Sequence, residues 1–210
     1  MSRRRTQTDE QLIAATARVI GRLGPARLTL ADVAREAGLA PATLLQRFGS
    51  KRGLLLEVAR AGTAGVPDCF AQVRAAHRSP LGAIFAAVET MAQMADTPEA
   101  LANHLAFLQI DLTDPDFHRL AVEHSRATEE GYRVLLEEAV AAGELVRCNT
   151  ARLARLIAAL EGGSMLTWAI RREGSMAAWL RKDLESALQP WRVSKRARTG
   201  PGTAARRGNR

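Results

Sequence analysis

Thr43, Gln46 and Arg47 stand close together in the chain, and Lys51 follows four positions later. In a short helix starting at Pro41, these three side chains turn outward while Leu44 and Phe48 turn in. Their chemistry is recognition rather than bond breaking. An arginine fork matches a guanine edge, a glutamine amide matches an adenine edge, and threonine and lysine suit phosphates. Pro41 and Ala42 are small enough for close approach or for contact with a thymine methyl. Other chemistry has weaker candidates. His118 and His124 are six apart and share no helix face, so they make a poor metal pair. Asp111, Asp114 and Asp116 gather with His118 around a helix start, where acids favour the helix dipole anyway. Cys69 and Cys148 are far apart and read as reduced thiols. There is no Gly-rich phosphate loop and no nucleophile motif. The sequence argues against an enzyme and calls for no metal or cofactor.

The elements that must position these residues are legible. Thr29 and Asp32 form a capping box that starts one helix. Leu30, Val33, Ala34 and Ala37 give that helix an apolar face, and Gly38 stops it. Pro41 begins the next helix, and Ser50 caps the one after, with Lys51 in its first turn. A cation there is poor for the helix dipole, and a bound phosphate would offset the cost. Ahead of these, Thr8 and Gln11 start a helix from about Asp9 to Leu23, ended by Gly24-Pro25. Residues 29–48 thus read as helix, Gly turn, helix: the layout of a DNA-binding helix-turn-helix.

Composition agrees. The chain has 210 residues, 47% hydrophobic, and its β-branched and aromatic residues are few, which favours an all-α fold. The net charge of +8 is uneven. Residues 1–51 hold nine Lys/Arg against four Asp/Glu, and residues 192–210 hold seven Lys/Arg and no acid, so the middle is acidic. Basic charge concentrated this way is an electrostatic footprint for phosphates. Arg3, Arg4 and Arg5 lie in an arm, residues 1–8, that either follows a DNA backbone or groove or touches nothing. The tail, 192–210, is too poor in apolar residues to fold, and its charges either add DNA affinity or are inert. No apolar run approaches the ~18 residues that span a membrane. Polar Thr6 to Gln11 interrupts the basic start, so the expected location is cytoplasmic.

The helix capped by Ser50 should end within Ala61 to Val66, where Gly62 and Gly65 suit a hinge and a plain stop equally. Six further helices are predicted after it. They start near Pro67, Pro80, Pro98, Pro115, Asn149 and Ser175, and Gly143 and Gly174 stop two of them. That makes about ten in all.

Thr29, Val33-Ala34, Ala37-Gly38, Thr43-Leu44, Phe48, Ser50-Lys51 and Leu54-Leu55 together resemble the amino-terminal domain of TetR-family transcriptional regulators. The resemblance covers about residues 8 to 58 with no gap. It implies a three-helix helix-turn-helix domain, 9–58, joined to a larger α-helical ligand-binding and dimerisation domain, 59–191. It also implies a homodimer on a palindromic operator, released by an unknown small-molecule effector. Thr29, Pro41, Ala42, Thr43, Leu45, Gln46, Arg47 and Lys51 take the DNA-contact positions. Leu45 departs from the family, which usually has a tyrosine there. Tyrosine bonds a phosphate or packs on the backbone, and leucine does only the second.

The two longest helices, from Asp114 and Asn149, match the pair that forms the dimer bundle in this family. Leu135, Leu136 and Ala139 on the first, with Ala158 and Gly162 on the second, are the expected seam. Phe85, Met91, His104, Phe107, Met165 and Trp168 on the middle helices are the expected pocket. The competing reading is an α-helical dimer that acts through protein partners without specific DNA binding. Leu45 is its support.

Overall fold

The computed structural model describes residues 7–93 and 97–193. Among them are ten α-helices and no named strand. They are α1 (Asp9–Arg27), α2 (Leu30–Ala37), α3 (Pro41–Phe48), α4 (Lys51–Ala64), α5 (Val66–Ala76), α6 (Pro80–Ala92), α7 (Pro98–Thr113), α8 (Pro115–Ala141), α9 (Thr150–Arg171) and α10 (Met176–Leu188), followed by one 3-10 turn at Gln189–Trp191. Starts are set by side chains that accept from the first free amides: Thr8, Thr29, Ser50, Thr97, Asp114, Asn149 and Ser175 all do so. α1 departs from expectation at its end. Gly24 breaks it with φ 73° and ψ 161°, but Pro25 restarts one more turn to Arg27.

Two hydrophobic cores form. The first joins α1 to α4 through Leu12, Val19, Val33, Leu44 and Leu54. It also takes in Phe117 at the start of α8, with Phe107 and Ile110 of α7 packed against it. The second is built from α6, α8, α9 and α10, with Ile84, Leu136, Ile157 and Leu184 fully buried. The amino-terminal core therefore does not hang from α4 alone. α7 and α8 grip it from behind, and Asn103 on α7 donates to the Gly21 carbonyl of α1 at 2.9 Å.

α9 corrects one expectation. By length and composition it is apolar enough to cross a membrane, and among the described residues it alone passes that test. Its run of Ala, Gly, Leu and Ile raises the hydropathy while charges stay at the ends and at Glu161. It packs against α8 and α10, and its buried side carries Glu161 and Ser164. A third of that apolar stretch is buried within the protomer.

Candidate nucleic-acid interface and ligand cavity

α3 is fixed by its inward residues. Leu44 has no exposure and Phe48 is half-buried, so Pro41, Ala42, Leu45 and Gln46 are held outward and Thr43 sits at the edge. Gly38 ends α2 in the left-handed region, φ 66°, and its amide donates back to Ala34 and Arg35. That turn sets α3 across α2. Ala40, ahead of Pro41, gives no side-chain cap, Pro41 has no amide hydrogen, and the Thr43 amide donates to the Ala40 carbonyl at 3.0 Å. Thr29 is occupied as a cap: it accepts from the Asp32 amide at 3.2 Å, and its hydroxyl donates to the Asp32 carboxylate at 2.6 Å. Those bonds hold Asp32 below its ordinary pKa.

The two basic residues are less free than their spacing suggests. Arg47 folds back toward the start of α1, donating to the Gln7 carbonyl at 2.6 Å and lying 3.3 Å from the Asp9 carboxylate. Gln7 in turn donates to the Ala37 carbonyl at 2.9 Å. Arg47 thus ties the point where the amino-terminal arm begins to the reading helix. Lys51 donates to the Ala26 carbonyl at 2.8 Å, closing the extra turn of α1. The residues of the arm itself, Arg3 to Arg5, and the tail from 194 lie outside the described residues.

Two features of the head escaped the sequence. A Cβ on Gly53 would stand 2.1 Å from the Phe48 carbonyl oxygen, so α3 and α4 approach as closely as they do only because residue 53 is glycine. Arg52 forks onto Asp114, reaches Asp116 at 2.8 Å, and lies 5.7 Å from the centre of the Phe117 ring. A cluster that reads as a simple helix start is the far half of a contact between α4 and α8.

Behind the head lie two cavities. One, of about 450 Å³, opens between α1, α4, α7 and α8, where Ile20, Gly62, His104, Phe107, Asp111 and His124 line it. The other, of about 280 Å³, lies between α4, α5, α6, α8 and α9, where Gly62, Cys69, Phe70, His124, Tyr132 and Glu161 line it. They meet at Gly62 and His124. Glu161 is 5% exposed, and the Tyr132 hydroxyl donates to it. Burial pushes the Glu161 carboxyl up to about 7 and the Tyr132 phenol far above its ordinary value. Burial also raises the Asp111 carboxyl and lowers the His124 imidazole.

Of the expected pocket residues, His104 and Phe107 line the larger cavity. Phe85 does not stand at either central cavity. It packs between the guanidinium groups of Arg181 and Arg192, 5.2 and 5.9 Å from its centre. Trp168 is buried in the second core and donates to the Gly174 carbonyl at 3.1 Å, and Met165 packs against the same core. The side chain of Met91 is outside those described. Phe70, a further apolar candidate on the middle helices, lines the smaller cavity, whereas nothing in the sequence marks Glu161 and Tyr132, since one acid or ring on an ordinary helix carries no motif.

The expected dimer seam needs correction on α8. Leu135, Leu136 and Ala139 are at most 2% exposed, consumed by packing within the protomer, and have no surface to offer a partner. On α9, Ala158 is half-buried and Gly162 is exposed. The outward apolar line runs instead through Leu156, Ala159, Gly163, Leu166 and Ile170, at alternating spacings of three and four. Ile170 is 73% exposed.

A helix-turn-helix head gripped by an all-helical body is the arrangement the comparisons with known proteins share. The family model described as "Bacterial regulatory proteins, tetR family" matches residues 12–58. An HTH-type transcriptional regulator BetI of Agrobacterium fabrum is 36% identical over 118 residues, 55% of this chain and 56% of that protein. The chain thus spans little more than half the length of the curated relatives it matches. A TetR transcription regulator from Haloarcula marismortui superposes with a TM-score of 0.73 at 14% identity, covering 88% of this chain and 98% of that one. The regulator FadR of Bacillus subtilis, solved in complex with stearoyl-CoA, superposes with a TM-score of 0.64 at 16% identity, covering 86% and 98%. The chain is thus similar to TetR-family regulators in its amino-terminal head and in its fold.

Proposed function

We propose that the chain is a sequence-specific DNA-binding transcriptional regulator. It works as a homodimer on a palindromic operator in the cytoplasm, and a small molecule in the central cavities releases it, as a repressor requires. The carrying observation is the outward face of α3, where Pro41, Ala42, Leu45 and Gln46 are exposed while Leu44 anchors the helix from below. A helix of this size fits a major groove, and two heads about one DNA turn apart read two half-sites. The α9 line of Leu156, Ala159, Gly163, Leu166 and Ile170 supports a second copy as its occupant, since two-headed reading needs a two-fold partner.

The link from ligand to DNA runs through α4. Gly62 lines both cavities, and Lys51 and Arg52 stand at the other end of the same helix. At 1.5 Å per residue these points are about 16 Å apart. A ligand favours the arrangement it fits better, and any difference in head spacing between the two arrangements changes operator affinity by the same free energy. That a protein of this fold holds stearoyl-CoA supports a small-molecule effector.

Arg47 and Lys51 then contribute as positioning groups as well as contacts: Arg47 holds Gln7 against the reading helix, and Lys51 closes the end of α1. A gel-shift series across salt tests the reading. Gln46→Ala should relax preference at one base pair, whereas Lys51→Ala should weaken all sequences alike. The observation favouring a protein-partner role is Leu45, 53% exposed on the reading face. Binding with no sequence preference in the wild type would select that role instead.

A further inference from the structure

The smaller cavity has an unusual wall for an all-helical core. Glu161 is a carboxylate 95% withdrawn from solvent. Its hydrogen-bond partner is the Tyr132 hydroxyl, which is itself buried. A carboxylate offers about four acceptor directions, and a single phenol fills one. Burying such a group costs stability, and an apolar side chain at the same place on α9 would serve packing better. Its burial therefore points to a use.

Three further observations fix the kind of use. The Phe70 and Tyr132 rings meet edge to face, 4.9 Å between centres at 88°, beside the carboxylate. Both rings and Glu161 line the same space. Among the lining residues of the two joined cavities the charged side chains are Glu161 and Asp111, with no Lys or Arg. His124 stands at the junction, and its surroundings depress its pKa, so it stays neutral at pH 7. The lining is thus acidic and partly aromatic, inside a chain whose net charge is +8, and Glu161, raised to about 7, ionises readily when a cation lies beside it. An anion finds no counter-ion there. A cation gains a counter-ion from the carboxylate and attraction from ring faces. The volume of about 280 Å³ lies just below the ~300–1,000 Å³ usual for drug-sized ligands, so the occupant is small.

We propose that the cavity between α4, α5, α8 and α9 takes a small organic cation, an amine or an alkylammonium, with Glu161 as its counter-ion and Phe70 and Tyr132 as its aromatic wall. This rests on the reading of the chain as a ligand-released regulator and names the chemistry of the ligand. Gly62 and Gly65 line the same space, so an occupant touches the carboxy-terminal end of α4 directly.

The test titrates the full-length chain, without DNA and at fixed ionic strength, with four probes of similar size: tetraethylammonium, butylammonium, tert-amyl alcohol and pentanoate. Heat of binding and thermal shift are the readouts. At least one of the two cations should bind saturably, while the alcohol and the carboxylate do not. Butylammonium alone would identify a site that needs N–H donors, and tetraethylammonium alone or with it would identify an aromatic cage. Glu161→Gln keeps the shape and a hydrogen-bonding partner for Tyr132, and should weaken the cation by about tenfold or more, roughly the loss of one close charge pair.

Binding of pentanoate or the alcohol as well as the cations, full cation affinity in Glu161→Gln, or no saturable cation binding would each overturn the proposal. Charge selectivity of the wild-type chain decides the matter if Glu161→Gln does not fold. Operator binding is measured separately by gel shift. DNA binding without cation binding defeats only the ligand class, and cation binding without DNA binding defeats only the regulator reading.

Discussion

The Arg52 guanidinium grips the Asp114 carboxylate with two parallel bonds, Nε to Oδ2 at 2.9 Å and Nη2 to Oδ1 at 2.7 Å. Arg52 lies in the first turn of α4, one residue after Lys51, and Asp114 is the N-cap of α8. The contact holds the Asp114 carboxyl below its ordinary pKa and the Arg52 guanidinium above its own. It joins the amino-terminal head to the long helix of the body. Both side chains meet solvent, so the pair is worth little as global stability. Its effect is on where α4 can move. Arg52→Ala should leave the thermal midpoint nearly unchanged and lower hydrogen-exchange protection at the starts of both α4 and α8. Protection lost at α4 alone would show that the two helices are not coupled through this pair.

Gly53 is a steric requirement. Its added Cβ would meet the Phe48 backbone oxygen at 2.1 Å, and a backbone atom cannot step aside as a flexible side chain does. Gly53→Ala should destabilise the fold by about 1–3 kcal/mol, the scale of overpacking, despite the better helix propensity of alanine. Urea unfolding checks this. A variant as stable as the parent would mean that α3 and α4 are further apart than described.

Glu161 gives a pH dependence with a definite sign. Its carboxyl is raised from 4.5 to about 7 in the fold, so the folded chain holds a proton that the unfolded chain has released. The associated stability is complete below about 4.5 and is lost as pH rises through about 7. Tyr132 stays a neutral phenol throughout, and Cys69 and His124 are the other titratable groups facing this space. Glu161→Gln should remove the dependence, gaining about 2–3 kcal/mol relative to the parent between pH 5 and pH 8, at ~1.36 kcal/mol per pKa unit. Equal relative stability of the variant at both pH values would contradict the burial argument.

The α8 and α9 leucines separate packing from assembly. Leu136→Ala should cost about 2–5 kcal/mol, because the side chain is fully buried in the protomer. Leu166→Glu, on the outward line of α9, should leave the protomer folded and shift it to monomer in sedimentation velocity. A dimer that survives Leu166→Glu would place the seam elsewhere.

The element order was legible in the sequence because each helix start is written in a local signal. Thr29, Ser50, Asp114 and Ser175 each bond an amide two or three residues ahead, within the reach of a sequence pattern. The exposed side of α3 was legible for the same reason, through the spacing of Leu44 and Phe48. What was not legible joins residues far apart. Arg52 and Asp114 are 62 residues apart, Lys51 and Ala26 are 25 apart, and Arg47 and Gln7 are 40 apart. Periodicity shows that α8 and α9 each have an apolar face, but it cannot say which face meets the protomer and which meets a partner. The sequence thus points equally to Leu135 and Leu136, which face the protomer's own core, and to Leu166 and Ile170, which face outward. Glu161 was silent because its meaning comes wholly from the helices that close around it.

The central claim is that α3 reads DNA from a two-headed molecule. Its most direct measurement is selection of bound fragments from a random DNA library, followed by the mass of the complex. The predicted result is enrichment of an inverted repeat with half-site centres about one helical turn, 10–10.5 base pairs, or a multiple of it apart, bearing two chains or a multiple of two. Relaxed preference at one base pair of each half-site in Gln46→Ala would assign the enrichment to α3. Recovery of fragments with no shared sequence, or of single half-sites bound by one chain, would contradict the account.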